Sequence, residues 1–316
     1  MALDSDSIKW LKSRFGSNVK FDEPMSKHTS LRVGGPADAF VAPENVEALK
    51  ALVSWSWHKK TPYLILGNGT NLLVKDSGIT GVVIVLTQCL NTISQTYRNT
   101  HGIMVTAMAG AHMKTLCSFA LKKGLEGMNF AIGIPGSVGG GIIMNAGTSY
   151  GSMERVLESI SILLPNGQVR NIKKENLDFA YRKISWNKAQ IDGHHGQQVI
   201  LDGCFRLHPS DPEKLKREAQ KILETRWQRQ PRGLPSAGCF YKNPISGMTA
   251  GELIEAAGLK GKFMGGAKIS SKHANFILNH HNASAGDFLG LMELVEETVS
   301  KKFNINLERE VKVVGS

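Results

Sequence analysis

Residues 64–74 place a turn rich in glycine and amide side chains between two apolar stretches. Glycine allows positive φ and close approach by a ligand, so such a turn can direct several backbone N–H groups at a diphosphate. The pattern is not the dinucleotide-binding fingerprint, because Leu72 replaces the third glycine and a strand-like run follows instead of a helix. Alone, the segment fits a plain tight turn equally well. Its candidate ligand-binding residues are Gly67, Asn68, Gly69, Thr70 and Asn71.

A second glycine-rich segment covers residues 133–151. Backbone this permissive loses much conformational entropy on folding, which favours a role in close approach to a ligand or to another part of the chain. A buried flexible turn is the alternative. Because both segments follow apolar strands, together they predict the two ends of one large phosphate-bearing cofactor. The candidates here are Gly136, Ser137, Gly140, Asn145 and Gly147.

Alternating strand-like and helix-like patterns must position these segments, and they predict an α+β fold. A strand is expected at residues 63–66 and another at 104–109. A helix opened by Pro43 should precede the first of these strands, and a second helix, which carries Leu116, should follow the other. The pair Asn166-Gly167 predicts a β-hairpin.

The chain changes character near residue 210. Ser210 and Glu213 have the spacing of a capping box, which predicts a helix that continues to Gln230 before a proline. We therefore expect one domain over 1–208, with subdomains of about 1–88 and 89–208, and a smaller domain over 209–316. The smaller domain should contain a long amphipathic helix capped at Ser284.

Composition excludes several classes of protein. The formal charge of +11 suggests phosphate partners, but the basic residues are scattered and no nucleic-acid-binding motif accompanies them. The 4 cysteines show no metal-ligand spacing and no disulfide pattern, so we expect no metal and a reducing, cytoplasmic location. No leader peptide is recognisable, and no run reaches the roughly 18 apolar residues of a membrane span.

Seven motifs in order resemble the UDP-N-acetylenolpyruvoylglucosamine reductase family, and the resemblance spans nearly the whole chain. The motifs are HTSLRVGGPAD (28–38), GNGTNLLV (67–74), GIPGSVGGGIIMNAG (133–147), YRKISW (181–186), RWQRQP (226–231), PSAGCFYKNP (235–244) and LEREVKVVG (307–315). The resemblance implies an FAD-binding domain of the vanillyl-alcohol oxidase and p-cresol methylhydroxylase type, built from two α/β subdomains, followed by a smaller α+β substrate-binding domain.

The resemblance also implies an activity. FAD would be held without a covalent link and NADPH would donate hydride. The product would be UDP-N-acetylmuramate for peptidoglycan synthesis, and hence for cell wall biogenesis, cell shape and cell division. Both glycine-rich segments would hold FAD. Replacing Gly69 with valine should then remove FAD and leave the fold intact. A vanillyl-alcohol-type flavin oxidase acting on another small molecule is the alternative.

Three positions inherit catalytic roles from the family. Hydride delivered by flavin N5 pushes negative charge toward the substrate carboxylate, which Arg182 and Glu310 would stabilise. Cys239 stands where many family members carry a serine that donates the proton. A thiol, with a reference pKa of about 8.5, is a much better acid than an alkyl hydroxyl. Water is the alternative proton donor.

Other positions inherit contacts with the substrate. Tyr181, Arg226, Lys242 and Asn243 match substrate-binding positions by family comparison. The stretch between Trp186 and Gln198 is too short for the tyrosine-bearing insertion of the longer subtype, so closure over the substrate would depend on other loops or on domain motion.

Overall fold

The computed structural model describes residues 3–99, 102–186, 197–245 and 247–315. The predicted absence of a tyrosine-bearing insertion after Trp186 therefore lies mostly outside the described residues. The helices are α1 (Ser5–Phe15), α2 (Val46–His58), α3 (Met113–Lys122), α4 (Val138–Ile143), α5 (Met153–Val156), α6 (Pro212–Arg229), α7 (Ala250–Ala256) and α8 (Ala285–Phe303).

Short strands alternate with these helices, as expected for an α+β protein. The first ten are β1 (Val19–Pro24), β2 (Pro36–Val41), β3 (Tyr63–Leu66), β4 (Leu72–Val74), β5 (Ile79–Val85), β6 (Ile93–Asn99), β7 (Gly102–Met108), β8 (Leu125–Glu126), β9 (Gly147–Thr148) and β10 (Gly151–Ser152). The others are β11 (Leu157–Leu163), β12 (Val169–Lys173), β13 (Leu177–Ala180), β14 (Lys183–Trp186), β15 (Val199–Pro209), β16 (Ser236–Cys239), β17 (Phe263–Met264), β18 (Ala267–Ile269), β19 (Phe276–Asn279) and β20 (Lys312–Val314).

The chain divides into two compact units. Unit 1 comprises residues 1–20, 39–68 and 81–224, and unit 2 comprises residues 21–38, 69–80 and 225–316. The sequence-based ranges 1–208 and 209–316 are consecutive, whereas unit 2 includes two segments from the first quarter of the chain. Among the described residues, no helix is long and apolar enough to cross a membrane.

Unit 1 is organised around a six-stranded antiparallel sheet in the order β12-β11-β15-β7-β6, with β8 paired to β15. Along β15 the residues Gly203, Phe205 and Leu207 are buried and alternate with partly exposed polar residues, which is the period of two expected for a strand with one buried face. The strands β3 and β5 form a parallel pair that also belongs to unit 1.

Unit 2 contains the four-stranded antiparallel sheet β16-β19-β18-β17 and the parallel pair β20-β4. Helices α7 and α8 contribute to its apolar core. Phe240 and Phe288 stack with ring centroids 5.9 Å apart in this core, and the buried Tyr241 hydroxyl donates to the Met292 carbonyl oxygen at 2.9 Å. The final strand of the chain thus pairs within unit 2 with a segment that precedes it by more than half the sequence.

Asp76 stabilises the start of α8 within unit 2. Its two carboxylate oxygens accept hydrogen bonds from the backbone N–H groups of Ala285 and Gly286, each at 2.9 Å. These N–H groups lie in the first turn of the helix and have no partner inside it.

We expect Asp76→Ala to lower the free energy of unfolding by about 1 kcal/mol, because it removes an acceptor from a helix N-terminus. Asp76→Asn should lower the free energy of unfolding by less, since one side-chain oxygen remains as an acceptor. Urea denaturation followed by circular dichroism measures both effects. The exposed Asp178, changed to asparagine, serves as the control. An Asp76→Ala variant with the stability of wild type would contradict this role.

Candidate functional site

Three segments that are distant in the sequence meet in unit 1: the turn after β3, the residue before α3 and the residue before α4. A Cβ on Gly67 would lie 2.1 Å from Ser137 Oγ, so only glycine fits there as the structure stands. His112 and Ser137 form an antiparallel β-bridge, and Met113 N–H donates to the Gly136 carbonyl oxygen at 2.9 Å. The beginnings of the two glycine-rich segments are therefore neighbours.

Asn68 lies where these three segments meet. The nitrogen of its carboxamide is hydrogen-bonded, whereas the oxygen is not bonded to any of the described residues. Its Nδ2 is 2.6 Å from His112 Nδ1. Its Oδ1 is buried and has no hydrogen-bond partner among the described residues. A buried acceptor without a partner is costly and calls for an explanation, such as a group supplied by a ligand.

Ser137 caps α4, and its Oγ accepts from the Gly140 N–H at 3.3 Å. Gly136 has φ +122°, a conformation that side chains with a Cβ rarely adopt. Gly140 differs: it is exposed, its φ is ordinary, and an added Cβ would meet only Ser137 Oγ, at 3.3 Å. The fold itself gives little reason for glycine at position 140, which favours close approach by a ligand.

The rest of the first glycine-rich segment belongs to unit 2. Ser30 N–H donates to the Gly69 carbonyl oxygen at 3.0 Å, and Ser30 Oγ donates to the Thr70 carbonyl oxygen at 3.4 Å. Gly69 has φ +60°, and a Cβ there would lie 2.1 Å from the carbonyl oxygen of His28. The expectation that valine at position 69 would leave the fold intact is therefore wrong, because the side chain would push against the backbone of this same unit.

Two candidates of the second segment have clear roles inside unit 1. The Asn145 side chain donates to the Ala180 carbonyl oxygen and accepts from the Glu154 N–H, both at 3.1 Å. A Cβ on Gly147 would lie 2.8 Å from the Gly151 carbonyl oxygen across the β9-β10 hairpin. These contacts explain both residue types without a ligand, and contact with a cofactor stays a prediction for them.

Arg182 occupies the two-residue turn of the β13-β14 hairpin, whose register pairs Ala180 with Lys183. Its φ of +59° is unusual for a residue with a side chain and carries a modest strain that often marks functional positions. The guanidinium carbon lies 4.9 Å from the ring centroid of the exposed Tyr181. The same hairpin is also bonded to Asn145, because the Asn145 side chain donates to the Ala180 carbonyl oxygen.

Unit 2 brings three further candidates together. The Phe240 carbonyl oxygen, next to Cys239, accepts from the Glu310 N–H at 2.8 Å. The Glu310 carbonyl oxygen accepts in turn from Asn71 Nδ2 at 3.1 Å, and Lys312 N–H donates to the Asn71 carbonyl oxygen at 3.0 Å. Asn71, Cys239 and Glu310 thus sit on adjoining backbone segments although they are far apart in the sequence.

Arg226 also belongs to this group in unit 2. Burial lowers the pKa of its guanidinium, and electrostatic interaction with Cys239 opposes that effect. The two side chains are therefore close enough to influence each other. A cation that interacts electrostatically with the predicted acid suits a site that binds an anionic substrate.

Lys242 and Asn243 are engaged within unit 2. The Lys242 ammonium pairs with Glu308, while Asn243 Oδ1 accepts from the Ala250 N–H at the start of α7, at 3.1 Å. Nearby, burial and the charge of Lys260 lower the pKa of His273, which favours its neutral form. Substrate contacts of Lys242 and Asn243 stay predictions.

His112 is the member of the site that the sequence did not indicate. It lies outside both glycine-rich segments, directly before α3. A histidine at such a position has no distinctive local pattern, and its contact with Asn68 spans more than forty residues of chain. Only the folded structure reveals the pairing.

Comparison with known proteins gives two family matches. Residues 37–173 match the model described as an FAD binding domain. Residues 230–314 match the model of the C-terminal domain of UDP-N-acetylenolpyruvoylglucosamine reductase. Together these matches include both glycine-rich segments and the positions of Cys239 and Glu310.

Full-length relatives carry the same name. The UDP-N-acetylenolpyruvoylglucosamine reductase of Desulfosudis oleivorans is 43% identical over 99% of this chain and 100% of its own length. That of Clostridium botulinum is 42% identical over 95% of this chain and 93% of its own length. The crystal structure of the Thermus caldophilus reductase aligns with a TM-score of 0.74 at 34% identity, covering 92% of this chain and 97% of that chain.

Proposed function

The chain belongs to the UDP-N-acetylenolpyruvoylglucosamine reductase family, and from this premise we propose that it reduces UDP-N-acetylglucosamine enolpyruvate to UDP-N-acetylmuramate with NADPH. It is an oxidoreductase and flavoprotein of peptidoglycan precursor synthesis, and FAD is its cofactor. The electron donor, the individual catalytic residues, a cytoplasmic location and a non-covalent link to FAD are parts of the proposal.

The residues in unit 1 fit a bound FAD. Asn68 Oδ1 is a buried acceptor with no partner in the part of the chain that the structure describes. Gly140 leaves its surface open to a ligand where the fold would tolerate a larger residue. When bound, the flavin supplies a two-electron relay, which no side chain can provide. The residues that would hold it are Gly67, Asn68, Gly136, Ser137 and Gly140, with Gly69, Thr70, Asn71, Asn145 and Gly147 as further candidates.

The effect of Gly140 can be tested directly. Alanine at this position should leave the melting temperature of the apoprotein nearly unchanged, because only Ser137 Oγ must move, by a few tenths of an ångström. It should weaken FAD binding by about tenfold, because the methyl group occupies surface that the cofactor approaches. Fluorescence titration of apoprotein with FAD gives the dissociation constant. The exposed Gly286 of α8, where φ is also ordinary and an added Cβ would come no nearer than 3.5 Å to another side chain, is changed to alanine as the control. An unchanged affinity would remove Gly140 from the site.

Arg182, Glu310 and Cys239 would carry the chemistry on the substrate. A guanidinium forms two parallel hydrogen bonds with a carboxylate, which suits Arg182 to the enolpyruvyl carboxylate as charge grows there. Glu310 would hydrogen-bond the same carboxylate. Cys239 would deliver the proton that the reduced carbon needs. Arg226 and Lys242 would bind the diphosphate, with Tyr181 and Asn243 as further substrate contacts.

One observation carries the catalytic part of the proposal: the backbone of Glu310 is hydrogen-bonded between Phe240, the residue after Cys239, and Asn71. This places two predicted catalytic residues and a predicted cofactor ligand on adjoining segments of one unit. A rigid backbone framework of this kind is what preorganised catalysis requires.

The decisive experiment separates the two halves of the reaction. The purified protein is reduced anaerobically by NADPH and then mixed with UDP-N-acetylglucosamine enolpyruvate, while flavin absorbance is recorded. We expect bleaching in the first step and rapid return of the oxidised spectrum in the second. Return of the spectrum with oxygen but not with the enolpyruvyl sugar would favour an oxidase and contradict the proposal.

A further inference from the structure

His112 contacts the turn that follows β3 through its Nδ1, which lies 2.6 Å from Asn68 Nδ2. We propose that His112 is a cofactor-positioning residue, whose imidazole holds Asn68 so that the remaining oxygen of that side chain meets bound FAD. The inference rests on the proposed function, because it needs FAD in this site. Asn68 lies in one of the family motifs, whereas His112 lies outside all of them.

The backbone of His112 is well fixed in unit 1, whereas its ring is exposed. The His112 carbonyl oxygen accepts from the Thr115 N–H at 2.9 Å and from the Leu116 N–H at 3.2 Å, at the start of α3. Its β-bridge to Ser137 joins it to the second glycine-rich segment. The fold therefore holds this position through main-chain bonds, and a change of the side chain should leave the fold in place.

The hydrogen bond between His112 and Asn68 determines what Asn68 can offer to a ligand. An Asn68 Nδ2 that donates to His112 Nδ1 requires a neutral imidazole with its proton on Nε2. The carboxamide is then oriented with Oδ1 as its remaining group, and Oδ1 is the buried acceptor without a partner among the described residues. Without His112 the carboxamide could rotate, and the orientation would be lost.

An acceptor oxygen cannot bond the oxygens of a diphosphate, which are acceptors as well. It needs a hydroxyl or N–H group, and FAD carries both types, on its sugar chains and on its two ring systems. We therefore assign Asn68 to a donor group of FAD, and leave the diphosphate to backbone N–H groups of the glycine-rich turns. This assignment makes the pair a determinant of FAD orientation as well as of affinity.

The test uses apoprotein prepared by removing FAD and titrated with FAD while flavin fluorescence is followed. His112→Ala should raise the dissociation constant about tenfold, because it frees a side chain that FAD must then order. His112→Asn should stay close to wild type, since its Oδ1 can replace Nδ1 as the acceptor. His112→Gln, whose oxygen lies nearer the Nε2 position, should behave like alanine. The exposed Lys114, changed to alanine, is the control on α3.

A double-mutant cycle tests whether His112 affects FAD affinity through Asn68. In an Asn68→Ala background, His112→Ala should add no further loss, because the imidazole would have nothing left to hold. Additive losses, rescue by glutamine but not by asparagine, or wild-type affinity in His112→Ala would each overturn the inference. A wild-type protein that binds no FAD would instead overturn the proposed function, so the two failures are distinguishable.

Discussion

The Arg182→Ala variant should reoxidise its NADPH-reduced flavin with UDP-N-acetylglucosamine enolpyruvate about 100- to 1000-fold more slowly than wild type, the usual loss when one preorganised donor is removed from a developing charge. Reduction by NADPH should be almost unaffected, because that step places no charge on the substrate carboxylate. Rapid mixing under anaerobic conditions, with flavin absorbance as the signal, measures each step separately.

The hairpin offers a matched control. Lys183 directly follows Arg182, is exposed, and begins β14. Lys183→Ala should leave both half-reactions unchanged if the guanidinium itself is required. Arg182→Lys should recover only part of the rate, because an ammonium cannot form the paired hydrogen bonds of a guanidinium. Equal slowing of both half-reactions in Arg182→Ala would indicate damage to the flavin site instead.

Most of the fold could be predicted from local patterns, and the confirmed elements show why. Strand β3 occupies the predicted residues 63–66, and α8 begins after Ser284, whose Oγ accepts from the Asp287 N–H at 3.1 Å. The run after Asn71 is strand β4, as its apolar residues indicated, and not a helix. Apolar periodicity and capping residues are local, so they are visible in one sequence.

Helix boundaries were less predictable where two capping residues compete. Ser210 was expected to cap α6, but Asp211 Oδ1 accepts from the Glu213 N–H at 2.9 Å, and α6 begins at Pro212. Proline suits the first helical position because its missing N–H would be unpaired there. Helix α2 likewise begins after Asn45, whose side chain accepts from the Ala48 N–H, and not at Pro43.

The glycine-rich segments mark the limit of prediction from one sequence. Helix α4 lies inside the second segment, although three consecutive glycines argue against a helix. Ser137 supplies its cap, and the tight packing around Gly139 and Gly141 explains why larger residues are excluded there. Helix propensity could not reveal this, because tertiary contacts override it.

Pairing between segments that are distant in the chain could not be predicted from the sequence either. Residue types and the family resemblance pointed to Asn71, Cys239 and Glu310 separately, but only the fold shows that hydrogen bonds join their backbones. His112 was missed for the same reason. The sequence also cannot show that Asn145 is already hydrogen-bonded inside unit 1, or that Lys242 is paired with Glu308.

Substitution of Cys239 should slow the reaction with the enolpyruvyl sugar without slowing flavin reduction by NADPH. We expect Cys239→Ala to be reduced by NADPH at the wild-type rate and to react with the enolpyruvyl sugar at least about 100-fold more slowly, the lower end of what general acids contribute. Cys239→Ser should keep part of the rate, because a hydroxyl can still pass on a proton. Cys204→Ala provides a control, since Cys204 is a half-buried thiol on β15 of unit 1.

The pH dependence tests whether the Cys239 thiol is the acid. A thiol donates only while it is protonated, so the rate of the oxidative half-reaction should fall as pH rises and Cys239 ionises. Burial raises the pKa of Cys89 to about 11 and that of Cys117 to about 12, so a limb at lower pH cannot come from either of them. The limb should vanish or move upward in Cys239→Ser, because a serine hydroxyl stays protonated throughout. An alanine variant that reoxidises as fast as wild type would leave water, or another side chain, as the proton donor.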